Sequence, residues 1–167
     1  MEQKTPASEL RDRMERFRLR MERDHPTWEF AAIFGRANQF YLTGTMQDGV
    51  LLIPRDREAV LWVRRSLERA LDESFFPDIR PMRSYRDAAA GMGACPGVIH
   101  VETEVVPLAL LERFQKHFPC TEVRALDLQA AMVRAKKSAA GLAIMERAGR
   151  IHRRVPEDAV PGILREG

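Results

Sequence analysis

Apolar residues recur every three to four positions at Leu10, Met14, Phe17 and Met21, with acids and arginines between them. That is the period of a helix burying one stripe, and it predicts a helix capped by Ser8 and ended by His25-Pro26. The pattern then changes to continuous apolar runs. Trp28 to Phe34 reads as a buried strand stopped by Gly35. Gly49 to Ile53 and Ala59 to Val63 read as strands covered on both faces, joined through the polar turn Pro54 to Glu58. Ser66 to Leu71 predicts a helix with Leu67, Ala70 and Leu71 on one side, Asp78 to Arg83 a weaker strand, and Tyr85 to Met92 a short helix before a loop from Gly93 to Gly97. Val98 to Glu102 is a further strand, Pro107 opens a helix directing Leu108, Leu111, Phe114 and Phe118 inward, and Thr121 to Leu126 is a last strand. Alternating strands and helices argue for an α/β fold, a sheet flanked by helices, which the hairpin makes mixed rather than purely parallel.

Two more helices follow, Leu128 to Ala135 and Ala139 to Arg153, separated at Lys136-Lys137-Ser138 with Ser138 as the cap of the second. Leu142, Met145 and Ala148 form its apolar stripe. No internal repeat is present, and a domain boundary is expected between 130 and 155.

Asn38 to Thr43 reads as one short helical turn, capped by Asn38 and closed by Gly44 in the left-handed conformation. The turn has two readings. In one, Phe40, Tyr41 and Leu42 pack against the sheet; in the other, Tyr41 and Thr43 form the lip of a cleft facing a ligand or a partner domain. Side-chain chemistry by itself favours packing.

Composition adds bounds. A chain of 167 residues with 45% hydrophobic and 31% charged residues can bury a core without a disulfide or metal clip. Cys95 and Cys120 are too far apart for a metal knuckle or redox pair and too few for a secreted disulfide framework, so a cytoplasmic location is expected. Met1 to Leu10 lacks the apolar segment of a signal peptide, and no apolar run approaches the roughly 20 residues of a membrane span, so no membrane is expected as a partner.

The net charge is +3, and of the 27 basic residues only Lys4, Lys116, Lys136 and Lys137 are lysines. The arginines alternate with acids rather than clustering. Glu9/Arg13 and Asp12/Arg16 stand four apart with the acid first, the order in which helix neighbours attract. A solvated helix face is therefore expected rather than a nucleic-acid surface.

A self-contained active site is not evident. His25, His100, His117 and His152 have no helical metal-binding spacing, and no HExxH-like pattern occurs. No G-x-S-x-G elbow is present, Ser138 stands beside lysines as a cap, and Cys95 sits in a loop with no cationic partner that sequence can place. Gly91-Met92-Gly93 lacks the third glycine of a phosphate loop.

The order of these elements resembles a known family. Asn38-x-x-Tyr41-Leu42-Thr43-Gly44, the strand Val50 to Ile53, Arg65-Ser66-Leu67-Glu68-Arg69-Ala70, Val101-Glu102 before a helix, and Arg134-Ala135-Lys136-Lys137-Ser138 resemble the N-terminal domain of creatinases, prolidases and Xaa-Pro aminopeptidases over residues 9 to 155. The resemblance implies a mixed α/β domain with a ribonuclease H-like motif at 1–133, then at 134–167 a connecting helix and the start of a C-terminal "pita-bread" catalytic domain. That partner domain would hold two divalent metal ions (Mn, Co or Zn) on two aspartates, a histidine and two glutamates, all beyond Gly167. The metals would activate a water to attack the scissile carbonyl of a peptide substrate. No metal or cofactor is expected in this chain. The chain would be non-catalytic, contributing to a homodimer and shaping the substrate cleft through Asn38, Tyr41, Thr43 and Gly44. Gly141 stands where the family usually has Glu, which lowers local helix propensity by about 1 kcal/mol relative to alanine and alters the interdomain contact that Glu makes. Two alternatives stay open: a pseudo-enzyme or stand-alone peptide- or protein-binding module, and part of a creatinase-like amidinohydrolase.

Overall fold

A computed structural model describes residues 4–93, 97–154 and 157 of the chain. The chain divides into two units, Met1–Arg134 and Ala135–Gly167.

In the first unit the strands are β1 (Phe30–Ile33), β2 (Gly49–Pro54), β3 (Val60–Val63), β4 (Ile79–Pro81), β5 (Val98–Val101) and β6 (Glu122–Ala125). They form one sheet in the order β4-β3-β2-β1-β5-β6. β2 runs antiparallel to both β1 and β3, and the remaining neighbours are parallel. The sheet is mixed because of the β2–β3 hairpin, as the apolar runs around Pro54 to Glu58 predict. Successive residues of each strand alternate between faces. Ala31, Ile33, Leu51, Ile53, Leu61 and Val63 join one apolar cluster, while Phe30, Ala32, Val50, Leu52, Val60 and Trp62 join another. Every residue of β1 and β3 is buried, which is why these strands read as unbroken apolar runs.

Helices cover both faces: α1 (Ala7–Asp24), α2 (Arg36–Thr43), α3 (Leu67–Glu73), α4 (Tyr85–Met92), α5 (Leu108–Gln115) and α6 (Asp127–Ala135). Phe17 and Met21 of α1, Leu42 of α2, Ala70 of α3 and Val133 of α6 pack on the first face. Ala88 and Met92 of α4 and Phe114 of α5 pack on the second, where Phe114 stacks on Phe118 at 4.4 Å.

Three local expectations change. Pro6, not Ser8, precedes α1, because proline at fixed φ enters a helix without an N–H to satisfy. Glu9 and Arg13 are not a solvated pair: both are buried and joined at 2.7 Å. Arg18, half-buried, donates to the carbonyls of Pro54, Arg55 and Arg57, so α1 clasps the hairpin turn, and partial burial lowers its pKa. Leu108 is 70% exposed, since the first position of α5 points away from the stripe of Leu111 and Phe114.

In the second unit α7 (Ala139–Arg154) is capped as expected: Ser138 Oγ accepts from the Gly141 N–H at 3.0 Å. Leu142 and Met145 of its apolar stripe are exposed. Cys95 and the middle of its loop lie outside the described residues. No helix among the described residues is long and apolar enough to cross a membrane.

Candidate functional site

The chain leaves β1 for α2 on one face of the sheet and leaves β5 for α5 on the other, and β1 and β5 are parallel neighbours. Such a divergence opens a crevice beyond the carboxyl ends of the two strands, where α/β proteins commonly hold ligands. Here Glu102, the residue after β5, lies in it fully buried. Its Oε2 accepts from the backbone N–H groups of Phe34 and Gly35, both at 2.6 Å, and its Oε1 from Asn38 Nδ2 at 2.5 Å. A carboxylate placed against free N–H groups at the start of a helix satisfies donors that helix geometry leaves unpaired and complements the helix dipole. Gly35 suits this close approach, because a Cβ there would fall 2.5 Å from Glu102 Oε1 and would push the carboxylate away from its donors.

This fixes Asn38 in a role different from the expected cap. It sits inside α2, donating to Glu102 and accepting from Arg134 Nη1 at 2.8 Å through Oδ1. Gly35 occupies the capping position, and the carboxylate that serves the helix end comes from Glu102.

Tyr41, one turn further along, is half-buried. The Arg13 guanidinium lies 4.5 Å from its ring centroid and donates to its carbonyl at 2.9 Å. Its hydroxyl donates to the Val133 carbonyl at 3.1 Å and accepts from Arg16 at 3.3 Å. One side chain thereby ties α1, α2 and α6 together.

Thr43 is fully buried, with Oγ1 2.7 Å from the Gln39 carbonyl oxygen and 3.1 Å from that of Thr45. Gly44 closes α2 at φ 79°, a conformation that glycine adopts without a Cβ penalty. Its N–H donates to the Phe40 carbonyl at 2.8 Å, and the Ser74 hydroxyl donates to the Thr43 carbonyl.

The structure therefore brings Asn38, Tyr41, Thr43 and Gly44 onto one helix, with their polar atoms engaged inside the domain. Glu102, their organiser, is not among the residues that local sequence pattern marks for such a role. A carboxylate ending an apolar strand just before a helical segment was the available signal, and only the parallel pairing of β1 with β5 gives it meaning.

Among the described residues no three His, Cys, Asp or Glu side chains come together in a way that could hold a metal ion. The imidazoles of His25 and His100 do meet, at 4.7 Å between centroids. His100 is fully buried with neither ring nitrogen in hydrogen-bond geometry. Burial, followed by the neighbouring His25, pushes its pKa down to about 4, while the Phe30 backbone draws weakly upward.

Residues 13–136 match the family described as Creatinase/Prolidase N-terminal domain. No curated protein matches the chain in sequence. Among solved structures it is similar to the prolidase from Pyrococcus horikoshii OT3 (TM-score 0.76, 19% identity, 90% of this chain and 42% of that one). It is also similar to the prolidase from Pyrococcus furiosus (TM-score 0.75, 20% identity, 89% of this chain and 46% of that one). The Creatinase/Prolidase N-terminal domain of an X-Pro dipeptidase from Streptococcus pyogenes aligns with TM-score 0.59 and 19% identity over 74% of this chain and 99% of that one. At such identities the likeness shows the fold. The chain spans less than half the length of the two Pyrococcus proteins.

Proposed function

The chain belongs to the creatinase/prolidase N-terminal domain family, and from that membership we propose that it is the non-catalytic N-terminal domain of a metal-dependent peptidase acting on Xaa-Pro peptides. The observation that carries this reading is the family match over 13–136, together with a fold shared with solved prolidases. The site adds support from chemistry: the crevice that would take a ligand holds the chain's own Glu102 carboxylate, with its hydrogen bonds made internally.

On this reading the hydrolytic chemistry belongs to a partner domain beyond Gly167, which would carry two divalent metal ions (Mn, Co or Zn) on two aspartates, a histidine and two glutamates. The residues of the present chain do not supply such a donor set among those described. Their contribution is mechanical. Glu102 fixes the start of α2, and Tyr41, Thr43 and Gly44 fix its end, so the turn from Asn38 to Gly44 presents a backbone of defined shape that narrows the partner's cleft. The segment from 134 onward, with α7, is the connection to that domain. The domain also contributes to a homodimer, and the protein works in the cytoplasm.

Reading the natural coding sequence beyond Gly167 tests this. The five ligands, in the order two aspartates, histidine and two glutamates on strand-like segments, are expected within roughly 200 to 250 residues, a large-domain length. A reading frame in which the ligands are replaced supports a binding module in place of the peptidase.

A further inference from the structure

A second concavity, of about 320 Å³, opens on the α4–α5 side where β1, β3 and β4 end and β2 begins. These three strands run parallel to one another in space, so the cleft lies beyond carboxyl ends, as ligand sites of α/β sheets do. It borders the Glu102 crevice at Phe34, whose N–H donates to that carboxylate, but neither Glu102 nor any residue from Asn38 to Gly44 lines it.

Its floor is apolar and aromatic. Met82 is buried beneath it, and Phe34 meets Tyr85 edge to face at 6.4 Å, with Phe114 supporting both at 5.3 Å. Its walls are basic. Arg64 and Arg83 follow the ends of β3 and β4, and Arg113, Lys116 and His117 come from α5 and the turn after it. Asp48 is the single carboxylate among these lining residues, and Arg64 already holds it through two donors at 2.8 and 3.1 Å. The Arg113 Nε bonds the Ala109 carbonyl at 3.1 Å, which fixes the guanidinium on its helix. Arg83, Arg113 and Lys116 thus gather positive charge around an apolar floor; Asp87, the acid beside Arg83, lies outside the lining and accepts from the Arg83 and Ser84 N–H groups.

We propose that this cleft binds a small aromatic anion, a flat ring bearing a carboxylate or phosphate group. The ring lies on Phe34 and Tyr85, and the anionic group is held by Arg83 and Arg113 with Lys116 alongside. The volume suits a molecule of that size, at the small end of ligand pockets. Guanidinium groups favour planar or tetrahedral oxyanions through paired N–H donors. This site does not depend on the peptidase reading, since it uses neither the α2 turn nor a partner domain.

The test is isothermal titration of the full chain at low salt with phenyl phosphate and with benzoate, and with inorganic phosphate and phenol as the separate halves of the ligand. At least one aryl anion should bind at a single saturable site, about tenfold or more tighter than inorganic phosphate, while phenol shows no binding. The tighter of the two aryl anions identifies the oxyanion. Arg83→Gln combined with Arg113→Gln should weaken binding by about tenfold or more with an unchanged thermal midpoint, because both side chains are exposed. Arg65→Gln, outside the cleft, should bind as the parent does. Three outcomes overturn the proposal: no saturable binding of either aryl anion, inorganic phosphate binding as tightly as the tighter aryl anion, or undiminished binding by the folded double variant.

Discussion

Glu102 and Asn38 stand 64 residues apart in sequence, and the Asn38 side-chain amide donates to the Glu102 carboxylate at 2.5 Å in the interior of the domain. The same carboxylate receives the N–H groups of Phe34 and Gly35, so one acid at the end of β5 sets where α2 begins. Replacing Glu102 with alanine leaves three buried or half-buried donors without their acceptor. The expected loss is about 3 kcal/mol, the scale for removing one partner of a buried charged network. Urea unfolding should show a lower midpoint at unchanged slope, and Glu102→Gln, which keeps one acceptor oxygen, should lose less.

Tyr41→Phe separates the hydroxyl from the ring. It removes the bond to the Val133 carbonyl and the acceptor for Arg16 but keeps the ring beneath Arg13, and should cost about 1 kcal/mol. Tyr41→Ala removes the ring as well and should cost about 3 kcal/mol or more. Because the hydroxyl is spent inside the domain, Tyr41→Phe should leave KM of the parent enzyme unchanged; steady-state kinetics on an Xaa-Pro dipeptide checks this.

Stability should fall on mild acidification through His100. Its pKa of about 4 in the folded chain lies below the ordinary 6.5, so between these values the unfolded chain binds the extra proton. The contribution is complete above pH 6.5 and is lost as pH drops toward 4. His25, Arg124 and Glu122 are the ionisable neighbours, and the first two disfavour a charged imidazole. Between pH 7 and pH 5 the parent should lose up to about 2 kcal/mol more than His100→Leu, at about 1.4 kcal/mol per pKa unit, read as the difference between their urea midpoints at each pH.

Gly49→Ala should be poorly tolerated. A Cβ at Gly49 would lie 2.1 Å from the Trp62 carbonyl oxygen, which is backbone of the paired strand and cannot rotate away. Parting β2 from β3 there should cost about 3 kcal/mol or more, visible as a lowered thermal midpoint. Gly149→Ala, which meets nothing within 4 Å, is the control and should be neutral or slightly stabilising.

Hydrophobic period carried most of the fold into view. The buried strands Phe30–Ile33 and Val60–Val63 and the helices around Phe17 and Phe114 are legible because burial demands apolar residues at fixed spacing, and Gly44 because a left-handed closure demands glycine. Partner choice among polar residues was less legible. Glu9 with Arg13 has the spacing of a solvated pair whether it faces water or, as here, Tyr41. Asn38 has the chemistry of a cap, yet Gly35 takes that position because a carboxylate from β5 reaches the helix first. Glu102 acquires its role from the strand order, which pairs β1 with β5 across an intervening hairpin, a further strand and three helices, and local pattern carries no information at that range.

The most direct measurement is hydrolysis of an Xaa-Pro dipeptide by residues 1–167 and by the full-length parent, each supplied in turn with Mn²⁺, Co²⁺ and Zn²⁺. The parent should turn the dipeptide over in a chelator-sensitive reaction, and the isolated chain should show none with any metal. Metal-dependent turnover by residues 1–167 alone, or an inert parent loaded with metal, would contradict the assignment of this chain as the non-catalytic N-terminal domain of a metallopeptidase.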